Sequence, residues 1–323
     1  MGLCTVIRSL RRTMLATAWL VAGARAAAAQ GTLVLQSDFG TRDGAVASMK
    51  GVAVGVDAAL RIHDLTHEVA PFDVWEAAYR LRQVTPFWPS GTVFVSIVDP
   101  GVGTERLGVV ARTRRGHLIV TPDNGTLTLI GDDVVEVREI DLARQRLAGS
   151  ERSHTFHGRD VFAYLGARLA AGRTQFEEVG PSRGTQLVRL NVPTASIDLP
   201  VTPRAGQATR GEATVRGMVA MIDRPYGNLW TNIPAAMVDA AGWSRGDTLR
   251  VSIAHDSRPV VTVVTPFVES FGHVPEGAAL AYLNSLLELA VARNQGSFAE
   301  RHGVGAGPGW TVTVTRVGRA ARP

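Results

Sequence analysis

Apolar positions in the N-terminal half of the chain alternate between two periods. Short β-branched runs at 32–36, 61–63, 92–98, 109–113 and 118–121 read as strands, bounded by Gly, Pro and Asp. Helical spacing separates them at 45–56, 74–84 and 160–171, where Phe162, Leu165 and Leu169 fall on one face. Strands interleaved with helices predict an α/β N-terminal domain over 30–192 with a mostly parallel central sheet, whose ligands gather at the carboxyl ends of the strands. From 193 to 210 the chain is rich in Pro, Thr, Ala and Gly without a period, which reads as a linker. Beyond it, runs at 212–222, 248–253, 260–265, 279–283 and 311–316 predict a smaller all-β, barrel-like C-terminal domain over 211–323.

The first 29 residues follow another pattern. Arg8, Arg11 and Arg12 precede an apolar run at 14–22 and a small-residue stretch ending Ala27-Ala28-Ala29. That order reads as a secretory signal peptide cleaved after Ala29, so the sequence predicts export to the periplasm, with the pair Arg11-Arg12 as a sign of the twin-arginine route. About ten apolar residues are too few to span a bilayer, and the mature form is predicted to carry no membrane segment. The leader also changes the charge. The formal +5 includes four leader arginines and no leader acid, leaving +1 for the mature chain. With no basic stripe interleaved with aromatics, nucleic acid is not an expected partner. The one cysteine, Cys4, lies in the leader, which excludes a mature thiol nucleophile, disulfide or cysteine metal ligand.

Four polar clusters can carry chemistry. Asp38 in Ser37-Asp38-Phe39-Gly40, with Asp43 beyond it, follows the first strand and either accepts ribose hydroxyls or caps the next turn. Asp99 and Arg106 flank a loop tightened by Pro100, Gly101 and Gly103; they converge at its mouth or form a plain structural ion pair. His157, beside Gly158 at a helix start, titrates near neutral pH or simply packs there. Asp223, Tyr226, Gly227, Asn228 and the Trp230-Thr231-Asn232 run alone read as a hairpin turn. Dinucleotide, Walker and nucleophile-elbow templates are missing. His63 and His67 stand four apart, but Pro71 and the β-branched strand before them argue against a helical zinc pair, and no metal is expected.

Taken in order, QSDFGTRDG, MKG at 49–51, HDLTH at 63–67, GTVFVSIVDPGVGTER at 91–106, PDNGTL at 122–127, FHGRD at 156–160 and DRPYGNLWTNI at 223–233 resemble the S-adenosyl-L-methionine hydroxide adenosyltransferases, relatives of the fluorinase and chlorinase enzymes. The resemblance implies hydrolysis of S-adenosyl-L-methionine to adenosine and L-methionine, with the nucleoside as substrate and no cofactor. It implies a homotrimer whose sites lie between the N-domain of one subunit and the C-domain of the next. It assigns water activation to Asp99, Arg106 and His157, ribose binding to Asp38, and the methionine end to Asp43, Asp223 and Ser285. Asn228 and the backbone near Asn294 and Gln295 are implied to recognise adenine, with Tyr226 stacking beside it. Gln36-Ser37 and Pro225-Tyr226 depart from the hydrolases' usual motifs. A halogenase making 5'-halo-adenosine and a non-catalytic exported adenosine binder remain as alternatives.

Overall fold

A computed structural model describes residues 31–200 and 211–319. The leader read from residues 1–29 lies outside the described residues, as does the second half of the stretch read as a linker. No helix among the described residues is long and apolar enough to cross a membrane.

Six strands form the N-terminal sheet: β1 (Thr32–Ser37), β2 (Arg61–Thr66), β3 (Val93–Ile97), β4 (Gly108–Thr113), β5 (Leu118–Pro122) and β6 (Val134–Glu139), in the order β2-β1-β3-β5-β4-β6. The pairs β1/β2, β1/β3 and β3/β5 are parallel, whereas β4 runs antiparallel to both its neighbours, so the sheet is mixed but mostly parallel. Alternate residues of β1 point to opposite faces. Leu33 and Leu35 pack with Met49, Ala53, Phe162 and Leu165, while Val34 packs with Leu81, Phe94 and Ile119 on the other side. Burial on both faces requires helices on both, and the chain supplies them.

Helices α1 (Ala45–Val56) and α2 (Val74–Val84) occupy the predicted positions. A four-residue helix, α3 (Leu142–Gln145), follows β6. The predicted 160–171 helix instead starts as a π-helical stretch, Gly158–Ala163, and continues as α4 (Tyr164–Ala170). There the Tyr164 amide reaches back five residues to the Arg159 carbonyl. Such a wide turn shifts the side chains ahead of it, including those beside His157. Helix α4 lies close on the sheet because residue 166 is glycine: a Cβ there would sit 2.3 Å from Val95 Cγ2.

The C-terminal domain is a nearly closed antiparallel barrel. Its strands are β7 (Ser196–Asp198), β8 (Thr214–Asp223), β9 (Asn228–Pro234), β10 (Thr248–His255), β11 (Arg258–Pro266), β12 (Ala279–Leu283), β13 (Glu288–Arg293) and β14 (Trp310–Gly318). They run in the order β11-β10-β14-β8-β9-β13-β12, with β7 beside β8. The ten-residue β8 pairs with β14 through Thr214–Met218 and with β9 beyond it, bending the sheet round. The Val268 amide then donates to the Ala281 carbonyl at 2.9 Å, bringing the two ends together. Short helices α5 (Ala235–Ala240) and α6 (Phe298–His302) pack outside. Four strands differ from the sequence reading. β7 lies in the stretch read as a linker, β9 in residues read as a turn, and β6 and β13 were not expected.

The two domains meet along α2. Trp75 and Tyr79 pack with Met218, Trp230 and Tyr282, and the Trp75 indole donates to the Ala220 carbonyl at 2.7 Å. The stacking of α4 on the sheet gives a direct test. Gly166→Ala is expected to cost about 1–3 kcal/mol in urea denaturation, the usual penalty for overpacking. An unchanged unfolding midpoint would mean that α4 can lift from β3 freely.

Candidate active site

The parallel register fixes the heart of the site. Ser37 pairs with Ile97, so the chains leaving β1 and β3 do so side by side, carrying Asp38 and Asp99 to the same edge. Both carboxylates line a cleft of about 280 Å³ together with Phe39, Pro71, Phe72, Val102, Phe156 and His157. Asp38 does not cap the turn that follows it. Its Oδ2 accepts instead from the amide of Phe72 at 2.8 Å, tying the ends of β1 and of the loop before α2. Phe72 sits at φ +67° with an exposed ring, a backbone strain that this bond helps to hold.

Gly158 permits a close approach between two loops. A Cβ there would lie 2.9 Å from the Phe39 ring, so glycine allows the first loop to close against the helix that carries His157. Phe39 and Phe156 meet edge to face at 5.7 Å, and with Phe72 they give the cleft three aromatic walls. Such walls beside carboxylates suit a cation of moderate size.

Asp99 and Arg106 form a buried ion pair, with Nη2 and Oδ2 at 2.5 Å and side-chain exposures of 2% and 11%. The other carboxylate oxygen, Oδ1, accepts from the Gly101 amide at 3.2 Å. Burial pushes the Asp99 carboxyl above its ordinary value, and the guanidinium and that amide offset this only in part. Arg106 also lies 5.5 Å over the Phe162 ring, which links the Asp99 loop to the helix after His157. The aspartate therefore orients the arginine; it makes no hydrogen bond to His157. The histidine's Nε2 is buried without a hydrogen-bond partner among the described residues. Burial first, then the positive charges of Arg146 and Arg106, hold its imidazole below the ordinary 6.5, with Asp99 opposing them. A neutral imidazole with a free ring nitrogen can accept a proton.

The remaining expected residues divide between a second cavity and neither. Tyr226, Asn228, Asn294 and Gln295 line a cavity of about 770 Å³ in the C-terminal domain, and no residue is common to the two. Asn228 Nδ2 donates to Asp223 at 3.1 Å, which leaves its buried Oδ1 without a partner and able to accept from an amino group. Tyr226 is 67% exposed at the rim, where a flat ring could stack. Gln295 holds φ +53°, turning its backbone toward the same space. Asp43 is exposed and accepts from the Ala45 amide at 2.8 Å in the turn that leads into α1. Ser285 lies in the exposed turn between β12 and β13 and lines neither cavity.

Two features escaped the sequence reading. The Pro71-Phe72 loop forms one wall, and its only signal was an aromatic following proline after the HDLTH run. His67 is buried between the Ser37 hydroxyl at 2.7 Å and Asp64 at 3.1 Å, while its carbonyl takes the Gly40 amide. It therefore braces the turn that bears Asp38. His63 packs instead against Trp88, so the two histidines have separate partners.

A mixed α/β sheet is thus joined to an antiparallel barrel, with a buried Asp99–Arg106 pair and the His157 imidazole beside one cleft beyond β1 and β3. The chain belongs to the S-adenosyl-L-methionine hydroxide adenosyltransferase family: models of its N-terminal and C-terminal domains match residues 33–180 and 217–311. It is 35% identical over 280 residues to an (R)-S-adenosyl-L-methionine hydrolase of Salinispora tropica, covering 86% of this chain and 96% of that one. It is 29% identical over 308 residues to a fluorinase of an Actinoplanes species, covering 88% and 97%. A conserved protein of Thermotoga maritima, uncharacterised in function, has the same fold with a TM-score of 0.75 at 30% identity, over 87% of this chain and 99% of that one.

The ion pair can be tested by itself. Arg106→Met is expected to cost about 3–5 kcal/mol at neutral pH, because the ionised Asp99 is left buried and alone. The folded-state pKa of Asp99 then rises further, so the loss should shrink as pH falls toward 3.8, where the unfolded carboxyl also takes up its proton. Denaturation at two pH values reads this. A loss that is equal at both would show that Asp99 is not the group left uncompensated.

Proposed function

We propose that the protein hydrolyses S-adenosyl-L-methionine to adenosine and L-methionine. The observation that carries this is the free, buried Nε2 of His157 in the same cleft as the Arg106-bound Asp99. The sulfonium already makes methionine a neutral leaving group, so departure needs no acid. What the reaction lacks is a nucleophile, since free water, with a pKa of about 15.7, gives up its proton too reluctantly. In the proposed step, water attacks the ribose C5' opposite sulfur. The O–C5' bond forms, the C5'–S bond pair goes to sulfur, and His157 takes the water proton.

Arg106 stays protonated and stabilises the growing negative charge on that oxygen, while Asp99 fixes the guanidinium. Asp38 would take the ribose hydroxyls with the oxygen that Phe72 leaves free. The purine would lie against Tyr226 and Asn228. Those groups line a cavity separate from the Asp38 cleft, which supports sites assembled between copies of the chain, as in a homotrimer.

The halogenating alternative calls for a site that strips and holds a halide. A buried carboxylate facing the reacting carbon disfavours an anion there, and Asp99 is such a group. Incubating the protein with S-adenosyl-L-methionine, with and without excess chloride or fluoride, separates these outcomes by chromatography. Adenosine and methionine are expected in both cases; a 5'-halo-adenosine would overturn the proposal, as would binding without turnover.

His157→Ala is expected to lower kcat by about 10²- to 10⁴-fold, the range of general base catalysis, while leaving adenosine affinity near that of the unaltered protein. The working form of His157 is neutral and its pKa is lowered, so activity should rise with pH through a limb that lies below 6.5. A limb at or above that value would exclude this imidazole as the base.

A further inference from the structure

The stretch that leads to His157, from Gly149 to Thr155, is exposed apart from Ser150. A chain so open does not by itself fix where the next side chain points. Outside this stretch, residues 151–155 hydrogen-bond to one side chain only among the described residues, that of Arg146. Its guanidinium grips the stretch at three points. Nε donates to the Ser150 hydroxyl at 3.1 Å, Nη2 donates to the Ser153 carbonyl, and Nη1 meets Nδ1 of His154 at 3.3 Å. A guanidinium can only donate, so that histidine nitrogen accepts.

Arg146 is itself held from both sides. The Gln145 side chain before it, at the end of α3, donates to the Glu178 carbonyl at 2.8 Å, and the Leu147 amide after it donates to the Asp160 carbonyl at 2.8 Å. Asp160 lies in the π-helical stretch that begins directly after His157. The chain on either side of the histidine is thereby tied to one anchor. Charged groups face the imidazole from each direction as well. Asp38 comes from the end of β1, Asp99 and Arg106 from the loop after β3, and His154 from the approach itself, while Arg159 and Asp160 beyond it pair with each other at 2.6 Å. After burial, Arg146 is the largest influence holding the imidazole below its ordinary value; Arg106 and His154 act in the same direction and Asp99 against them.

We propose that Arg146 is a positioning residue for His157, clasping the approach to the histidine and supplying a fixed positive charge that acts on its imidazole. Arg146 lines neither the Asp38 cleft nor the Tyr226 cavity. This rests on the proposed function, in which the neutral imidazole takes the water proton. It concerns the Asp38 cleft of one chain alone, so it holds whichever copy supplies the purine cavity. A plain staple for an exposed loop is the competing role.

The test compares Arg146→Met, which removes clasp and charge together, with Arg146→Lys, which keeps the charge without the three-point fork. Circular dichroism and thermal melting check the fold of each full-length variant. One readout is the NMR titration of the His157 ring, assigned by the signal lost in His157→Gln; the other is the pH dependence of kcat and KM for S-adenosyl-L-methionine. In Arg146→Met the titration midpoint and the acid limb of kcat should both move up, because removing a nearby positive charge eases protonation. On the alkaline plateau kcat should fall about 10-fold from the looser approach, and about 3- to 10-fold more on the acid limb, with KM changed less than about 3-fold. Arg146→Lys should keep the limb near its original place and recover part of kcat. A plain staple would lower kcat equally at every pH and leave the midpoint where it was. That result, an unchanged plateau in Arg146→Met, or a limb that moves as far in Arg146→Lys would each overturn the proposal. Should the unaltered protein release no methionine, the functional reading fails instead, and the ring titration in the two variants still decides whether Arg146 acts on His157.

Discussion

Two parallel strands, β1 and β3, end side by side, and the N-terminal half of the site takes its geometry from that pairing. The register leaves Asp38 and Asp99 just beyond the last paired residues, on one edge of the sheet. From there the groups are locked by contacts that cross between loops. Asp38 holds the Phe72 amide, Arg106 holds Asp99, and Phe39 closes onto the bare backbone at Gly158. A one-residue slip of either strand would move its side chains to the opposite face relative to its partner and shift the loop that follows it, because side chains alternate along a strand.

Burying the Asp99–Arg106 pair is not a cheap way to stabilise a loop. Desolvating two charges costs several kcal/mol, and apolar replacements of equal volume are often neutral or better. Under the proposed function, the pair's fixed charges have work at the cleft. In a water-poor site a held guanidinium stabilises developing negative charge far more than it would in bulk solvent. Burial and the nearby positive charges also hold the His157 imidazole below its ordinary value, which favours the neutral ring with one nitrogen able to accept a proton. One environment thus pushes the Asp99 carboxyl up and the His157 imidazole down, and the Arg106 guanidinium partly offsets the first of these shifts.

Much of this was legible in the chain. Helices at 45–56 and 74–84 follow from strong periodicity, and the observed α1 and α2 have those bounds. β9 was hidden because its residues begin with Asn228 and follow Tyr226-Gly227, which read as a turn; pairing with β8 on one side and β13 on the other decides otherwise. β6 was hidden because its edge carries Glu136, Arg138 and Glu139, whose charges mask the alternation. The π-helical start at Gly158 lies against Phe39, a long-range contact that local spacing does not encode. In the site, Asp38, Asp99 and His157 could be picked out by residue type beside glycine-rich strand ends. His67 stood out within the HDLTH run, but its bracing of the Asp38 turn could not be read until its partners Ser37 and Asp64 are known.

The claim on which this account stands is that water itself, rather than a protein carboxylate, attacks the ribose carbon. Asp99 and Asp38 are both near enough to that edge to be considered as covalent nucleophiles. A single turnover of S-adenosyl-L-methionine in heavy-oxygen water, with enzyme in excess, distinguishes them by mass spectrometry of the adenosine and of the protein. The account predicts the heavy label on the adenosine 5' oxygen and none on the protein. Unlabelled adenosine with the label on Asp99 or Asp38 would contradict it.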